Sequence, residues 1–346
     1  MSTKTFKRWV ERKNNEICFS IVQKYYIGKE LGTEVLYRFP LLILFIKRLF
    51  FVLLNLSRSK QIDFRAYARS KSFKEFLKRL LGLYKFQRKD LLPGTQELVP
   101  FNFEAQPATL VSIIIAVHDH LDCTYNCLLS ILNHTSTVTY EIILINDNST
   151  DATAAFVARC NNIIYIENDE NLGFLRSCNK AAKLAKGEYL CFLNNDTQVT
   201  ASWLANMVEV FKQDPLTGLV GAKLLYPYGL LQEAGGLINH SGEPANFGRF
   251  QNPQSHMFNS LRECDYCSGA CIVVKKRDFE ALEGFDVQFS PAYYEDTDLA
   301  FSMRYRLNKK VYYQPLAEVI PFEGISSGKV TTTGNVTAYQ SQNSYK

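Results

Sequence analysis

The sequence predicts an α/β domain, a mostly parallel sheet with helices on both faces, preceded by a basic helical N-terminal region. Three observations predict it. Apolar, β-branched runs alternate with helical stretches over the central chain, the charge changes sign between its two parts, and a proline-containing junction lies between them.

Residues 1–89 hold 21 Lys and Arg against 6 Asp and Glu, a net +15, whereas residues 90–346 hold 18 against 28, a net −10. Such asymmetry marks two parts with different partners. The basic part suits an anionic surface. The acidic part is a poor nucleic-acid binder and a natural place for a divalent cation. Nine scattered cysteines with no secretory signal before them point to reduced thiols and a cytoplasmic location. Cys264, Cys267 and Cys271 lack the second ligand pair of a structural zinc site, so they read as buried small residues.

In the basic region an apolar run from Phe39 is broken by Lys47 and Arg48 before continuing to Leu56. A spanning helix needs about 20 apolar residues, so this stretch reads as a helix lying in the membrane interface. Peripheral association with the inner face of the plasma membrane is the expectation. The alternative is a helical hairpin packed on the body. Residues 90–109, rich in turn formers, read as a linker to a domain over 110–330.

Strands are expected at Val111 to Val117, Glu141 to Ile145, Ile163 to Ile166 and Tyr189 to Leu193, with helices near 121–133, 151–160 and 174–186. Ligands of such sheets bind beyond the carboxyl ends of the strands. His118 and Asp119 follow the first strand, Asp147 the second, and Asn194, Asn195 and Asp196 the fourth. No Gly-x-Gly-x-x-Gly or Walker pattern accompanies them, which argues against dinucleotide and P-loop chemistry. Asp147 suits a base edge or ribose hydroxyl, and Asp151 reads as the cap of the next helix. A carboxylate beside amide oxygens, as in Asn194 to Asp196, suits Mg²⁺ or Mn²⁺, although a simple turn would favour the same residues. Glu295, Asp296 and Asp298 open another helix. That is more acid than capping requires, and one could serve as a general base.

Taken in order, Asn146 to Asp151, Asn171-Leu172-Gly173-Phe174, Leu193 to Thr197, Ser268-Gly269-Ala270-Cys271, Gly284-Phe285-Asp286, Tyr293 to Leu299 and Glu323 to Gly328 resemble the family 2 glycosyltransferases, especially the bacterial rhamnosyl- and galactosyltransferase-like branch. The resemblance implies the GT-A fold with a single Rossmann-like sheet, and inverting transfer of a sugar from a UDP or dTDP donor. The acceptor it implies is a glycan or polyprenyl-diphosphate-linked molecule of cell-surface polysaccharide synthesis. By position, Asp296 is implied as catalytic base with Glu295 beside it, and Asp196 with Asn194 as holders of Mn²⁺ or Mg²⁺. His118, Asp119, Asp147, Gly173, Arg176 and Asn195 are implied around the nucleotide.

The chain departs from the pattern at Ala116, at Asn146 and at Pro321, where relatives carry a metal-binding His. Relatives also continue past Lys346, so residues 331–346 read as the start of a further extension. A degenerate, non-catalytic module that binds a nucleotide or a partner at the membrane is the competing reading. A sugar nucleotidyltransferase is disfavoured, because His118-Asp119-His120-Leu121 replaces the Gly-rich loop it needs.

Overall fold

The computed structural model describes residues 98–322, apart from positions 107, 228, 241 and 292. The expectations for residues 1–89, for Glu323 to Gly328 and for 331–346 lie outside the described residues.

The first half of the domain follows the expected alternation. Strands β1 (Val111–Val117), β2 (Tyr140–Asn146), β3 (Ile163–Glu167) and β4 (Tyr189–Leu193) are joined through helices α1 (Leu121–His134), α2 (Thr153–Val157) and α3 (Phe174–Ala182). They pair in parallel in the order β4-β1-β2-β3, with Ile113 opposite both Ile142 and Cys191. Parallel neighbours need crossover helices, and these helices cover the faces, which is why β4 is apolar and buried along its whole length.

The second half widens the sheet with reversed strands. After β5 (Thr197–Val199) and α4 (Trp203–Gln213) come β6 (Thr217–Leu225), β7 (Leu231–Glu233) and a separate hairpin of β8 (Gly236–Ile238) and β9 (Pro244–Asn246). Then follow β10 (Arg262–Glu263), β11 (Cys271–Lys275), α5 (Lys276–Ala281), α6 (Glu295–Tyr305) and β12 (Lys310–Pro321). The order is β10-β12-β6-β11-β4-β1-β2-β3, and β11 is antiparallel to both its neighbours. Its first residue, Cys271, pairs with Leu193 at the end of β4. The loop entering β11 therefore lies at the same rim as the carboxyl ends of β1, β2 and β4.

Side chains alternate across the pleat and build two cores. Ile113 and Ile115 pack with Leu128, Phe156, Trp203 and Met207 of α1, α2 and α4. Ile114 and Phe192 pack with Leu175, Phe285, Leu299 and Met303 from the side of α3 and α6. Residues 98–106 also join the domain. Phe101 and Phe103 are buried beside Tyr125 and Phe156, and Asn161 and Phe101 or Phe103 exchange backbone hydrogen bonds.

Lys223 of β6 is buried, yet its ammonium donates to the Pro253 carbonyl at 3.0 Å and to Asn259 Oδ1 at 2.8 Å, and lies 3.5 Å from Glu318 of β12. A buried charge survives only when so partnered. Cys264, Cys267 and Cys271 are buried free thiols, as expected, with the sulfurs of the first two 3.3 Å apart.

Candidate active site

Three loops meet at the carboxyl rim of the parallel strands, and each carries acids singled out above. The β2–α2 loop is tied to the β1–α1 loop. Asp119, at φ +57°, accepts from the amides of Thr150 and Asp151, and the Thr150 bond holds its carboxyl below the usual carboxylate range. Asp151 is not the N-cap expected of it, since that position of α2 is Ala152, but from one residue earlier it accepts from Thr153 N, and it also accepts from Leu121 N at the start of α1. His118 is exposed, with Nδ1 2.8 Å from the Asp147 carbonyl oxygen and Nε2 4.0 Å from Asp119.

Asp147 is buried, and its carboxylate is occupied by protein donors. Oδ1 accepts from Asn168 Nδ2 and Leu172 N, and Oδ2 from Gly173 N, each at 2.8 Å. It thus shapes the Asn171-Leu172-Gly173 loop that opens α3. Gly173, at φ +80°, is needed there twice over: few L residues adopt that angle, and a Cβ would stand 3.1 Å from the Pro291 carbonyl oxygen. Arg176, in the first turn of α3, is exposed.

The Gly173–Pro291 approach brings this loop against the segment carrying the acid pair. That segment is anchored by Asn179 of α3, whose side chain accepts from Phe285 N at 2.9 Å and donates to Phe285 O at 2.8 Å. Gly284, at φ +89°, has no room for a Cβ beside Asn179, and Phe285 packs on Phe192, Phe174 and Phe279. Just before α6, Tyr293 and Tyr294 both take positive φ, 78° and 75°. Such backbone costs roughly 1–3 kcal/mol per residue and collects at functional sites.

Glu295 and Asp296 follow. Asp296 Oδ2 accepts from Gly269 N at 2.8 Å, and Oδ1 from Thr297 N at 2.7 Å. Burial raises the Asp296 carboxyl above its ordinary value, against the pull of these amide donors. Burial first, and then the neighbouring Asp296 charge, push Glu295 up to about 8. Glu295 Oε2 is buried without a hydrogen-bond partner. A buried polar atom is normally hydrogen-bonded, so this one calls for a partner such as water or a ligand group.

At the end of β4, Asn194 N donates to the Ala270 carbonyl, one residue past the Gly269 that meets Asp296. Asn195 is buried and donates to Thr124 at 3.1 Å. Asp196 is buried, while Asn194 is partly exposed. Its charge contributes to raising the nearby Cys123 and Cys127 thiols to about 12, after the larger effect of burial. The ladder partner of Thr197 is Pro321, and Phe322 N donates to the Asp196 carbonyl. Proline thus stands beside the position expected to hold metal and offers no side-chain ligand. Among the described residues no three His, Cys, Asp or Glu side chains gather to hold a metal. One carboxylate with an amide neighbour fits a hard cation that takes its remaining ligands from water and phosphate.

Two residues of this rim escaped the sequence reading. Glu233, at the end of β7, is buried and accepts from Ser268 N at 2.9 Å. Tyr266, buried against Gly236, has both Glu233 and Asp296 among the charges raising its hydroxyl. The available signal was Glu233 itself, a charge inside the apolar run before Gly235-Gly236.

Residues 112–282 match the family model described as glycosyl transferase family 2. An uncharacterized protein of Sinorhizobium fredii, y4gI, is 30% identical over 68% of this chain and 27% of its own length. The O-antigen biosynthesis protein RfbC of Myxococcus xanthus is 35% identical over 52% of this chain and 15% of its own length. The chain thus spans about a quarter or less of these relatives. A solved structure of GalNAc-T7 with UDP, GalNAc and Mn²⁺ superposes with a TM-score of 0.54 at 15% identity, covering 66% of this chain and 46% of that one, and shares the fold.

Proposed function

Residues 112–282 being a domain of glycosyl transferase family 2, we propose that the protein is an inverting, metal-dependent transferase that moves a hexosyl or rhamnosyl group from a UDP- or dTDP-sugar to a glycan or polyprenyl-diphosphate-linked acceptor in cell-surface polysaccharide synthesis. The observation that carries this reading is the chain of contacts at one rim. Asp147 holds Gly173, Gly173 abuts Pro291, and Asp296 meets Gly269, next to the Ala270 that receives Asn194. Asp147, Asp296 and the turn at the end of β4 that carries Asp196 are thus linked through Gly173, Pro291, Gly269 and Ala270.

In this reading Asp296 takes the proton of the acceptor hydroxyl as that oxygen attacks the anomeric carbon from the side opposite the diphosphate. One displacement inverts the configuration. Its buried surroundings make Asp296 a stronger base than an exposed Asp, and the Gly269 and Thr297 amides hold its oxygens in place. Glu295, protonated over most of the neutral range, presents Oε2 for a hydrogen bond to a sugar hydroxyl. Asp196 and Asn194 would hold Mn²⁺ or Mg²⁺, which neutralises charge on a diphosphate leaving group. His118, Asp119, Asn195, Gly173 and Arg176 border the nucleotide, and Asp147 acts through the loop it organises. The RfbC and GalNAc-T7 likenesses support the polysaccharide setting and the nucleotide-sugar and Mn²⁺ requirement.

We place the protein at the cytoplasmic face of the plasma membrane, held by its basic N-terminal region. The charge of that region supports this reading. Among the described residues no helix is long and apolar enough to cross a membrane.

Thermal unfolding with UDP-, dTDP- and GDP-sugars, with and without Mn²⁺, tests the function together with a transfer assay. Stabilisation by UDP or dTDP that needs Mn²⁺ is expected. Absence of a shift with every nucleotide overturns it. Pro321 beside Asp196 favours a second reading, a binding module without catalysis. Nucleotide-dependent stabilisation without any donor turnover would establish that one instead.

A further inference from the structure

Asp296 is held by a turn, and the turn is held from its other side. Glu233 Oε1 accepts from Ser268 N at 2.9 Å, and the very next amide, Gly269 N, donates to Asp296 Oδ2 at 2.8 Å. Ala270 N closes the turn on Ser268 Oγ at 3.3 Å. A Cβ on Gly269 would lie 3.4 Å from Asp296 Cβ, so the backbone already sits in contact with the acid. Glu233 is only 1% exposed, in a three-residue strand, and a carboxylate buried there is costly unless hydrogen-bonded, which ties its position to that of the Ser268 amide.

We propose that Glu233 is a positioning residue for transfer: by gripping Ser268 N it fixes the turn whose Gly269 amide meets the Asp296 carboxylate. The proposal rests on the reading of Asp296 as base. Charged and titratable groups around Asp296 are Glu295 beside it, Glu233 across the turn, and the Tyr266 and Tyr294 hydroxyls. Among these neighbours the Gly269 amide is a donor that favours the charged carboxylate. Without the grip the amide drifts, and Asp296 binds its proton at higher pH.

The experiment compares Glu233→Met, which keeps the volume and loses the acceptor, with Glu233→Gln, which keeps an acceptor oxygen. The Met variant is expected to lose about tenfold or more in kcat, with donor KM within about twofold, and to move the acidic limb of the kcat–pH profile upward. The Gln variant recovers most of the rate and the limb. Hydrogen exchange over 267–271 should be faster in the Met variant and near wild type in the Gln variant. An unmoved acidic limb with unchanged exchange overturns the proposal, as does a Gln variant as impaired as Met. If the wild-type protein transfers no sugar, the reading of Asp296 fails, and exchange alone still decides whether Glu233 grips the turn.

Discussion

Asp147 Oδ2 accepts the Gly173 amide at 2.8 Å while Oδ1 takes two further donors, so this carboxylate builds a loop from the backbone of its neighbours. In Asp147→Asn one oxygen becomes a donor facing a donor. Loss of about 1–3 kcal/mol of stability is expected. Denaturant titration checks it, and donor KM should rise because the Gly173 loop loosens.

Asp296→Asn keeps the size of the side chain and removes the base. Transfer should fall by about 10²–10⁴-fold. Nucleotide-dependent stabilisation in the thermal assay should persist, since Asp196 and Asn194 are themselves unchanged.

Asp196→Ala should abolish the Mn²⁺-dependent part of that stabilisation, and chelation of the wild-type protein should do the same. Titrating Mn²⁺ at fixed UDP reads both. The converse change, Pro321→His, adds an imidazole beside Thr197 and should lower the Mn²⁺ concentration required.

Glu295 gives a pH signature in stability. Its folded value is about 8 against an ordinary 4.5, so between those values the unfolded chain releases a proton that the folded chain keeps. Stability from this group is therefore fully present below pH 4.5 and is lost as pH rises through 8. Glu295→Gln should be more stable than wild type at pH 8 and show no such gain at pH 4. Equilibrium unfolding at both values measures the difference.

Lys223→Met removes a buried ammonium that lies 3.5 Å from Glu318 and donates to Asn259 Oδ1 and the Pro253 carbonyl. Loss of about 1–3 kcal/mol, the range for removing hydrogen bonds to a charged group, is expected and is read as a fall in denaturant midpoint.

The parallel half of the fold was legible because β1 to β4 are short apolar runs bounded by helical periodicity, and their observed limits differ from the expected ones by a residue or so. The second half, where strands of both directions mix, was not. β6, β11 and β12 are equally apolar in part, but the direction in which a strand joins a sheet is set by long-range chain reversal, which local pattern does not encode. Similarly, Asp147 and Asp196 stood out as polar residues after apolar runs, and Asp296 as one of three acids crowded into the start of a helix. Glu233 was hidden because its bond to Ser268 spans 35 positions, and only the folded chain brings them together.

The bracket that Asn179 forms on Phe285 fixes the start of residues 286–294, which are held again by buried Phe289 and by Pro291 against Gly173 before α6 begins. Loop closure grows only slowly more costly with length, about 0.6 kcal/mol per doubling. Between Phe285 and Phe289 a short stretch, Asp286, Val287 and Gln288, faces outward, so that stretch can lengthen or change while the sheet and its acids keep their positions.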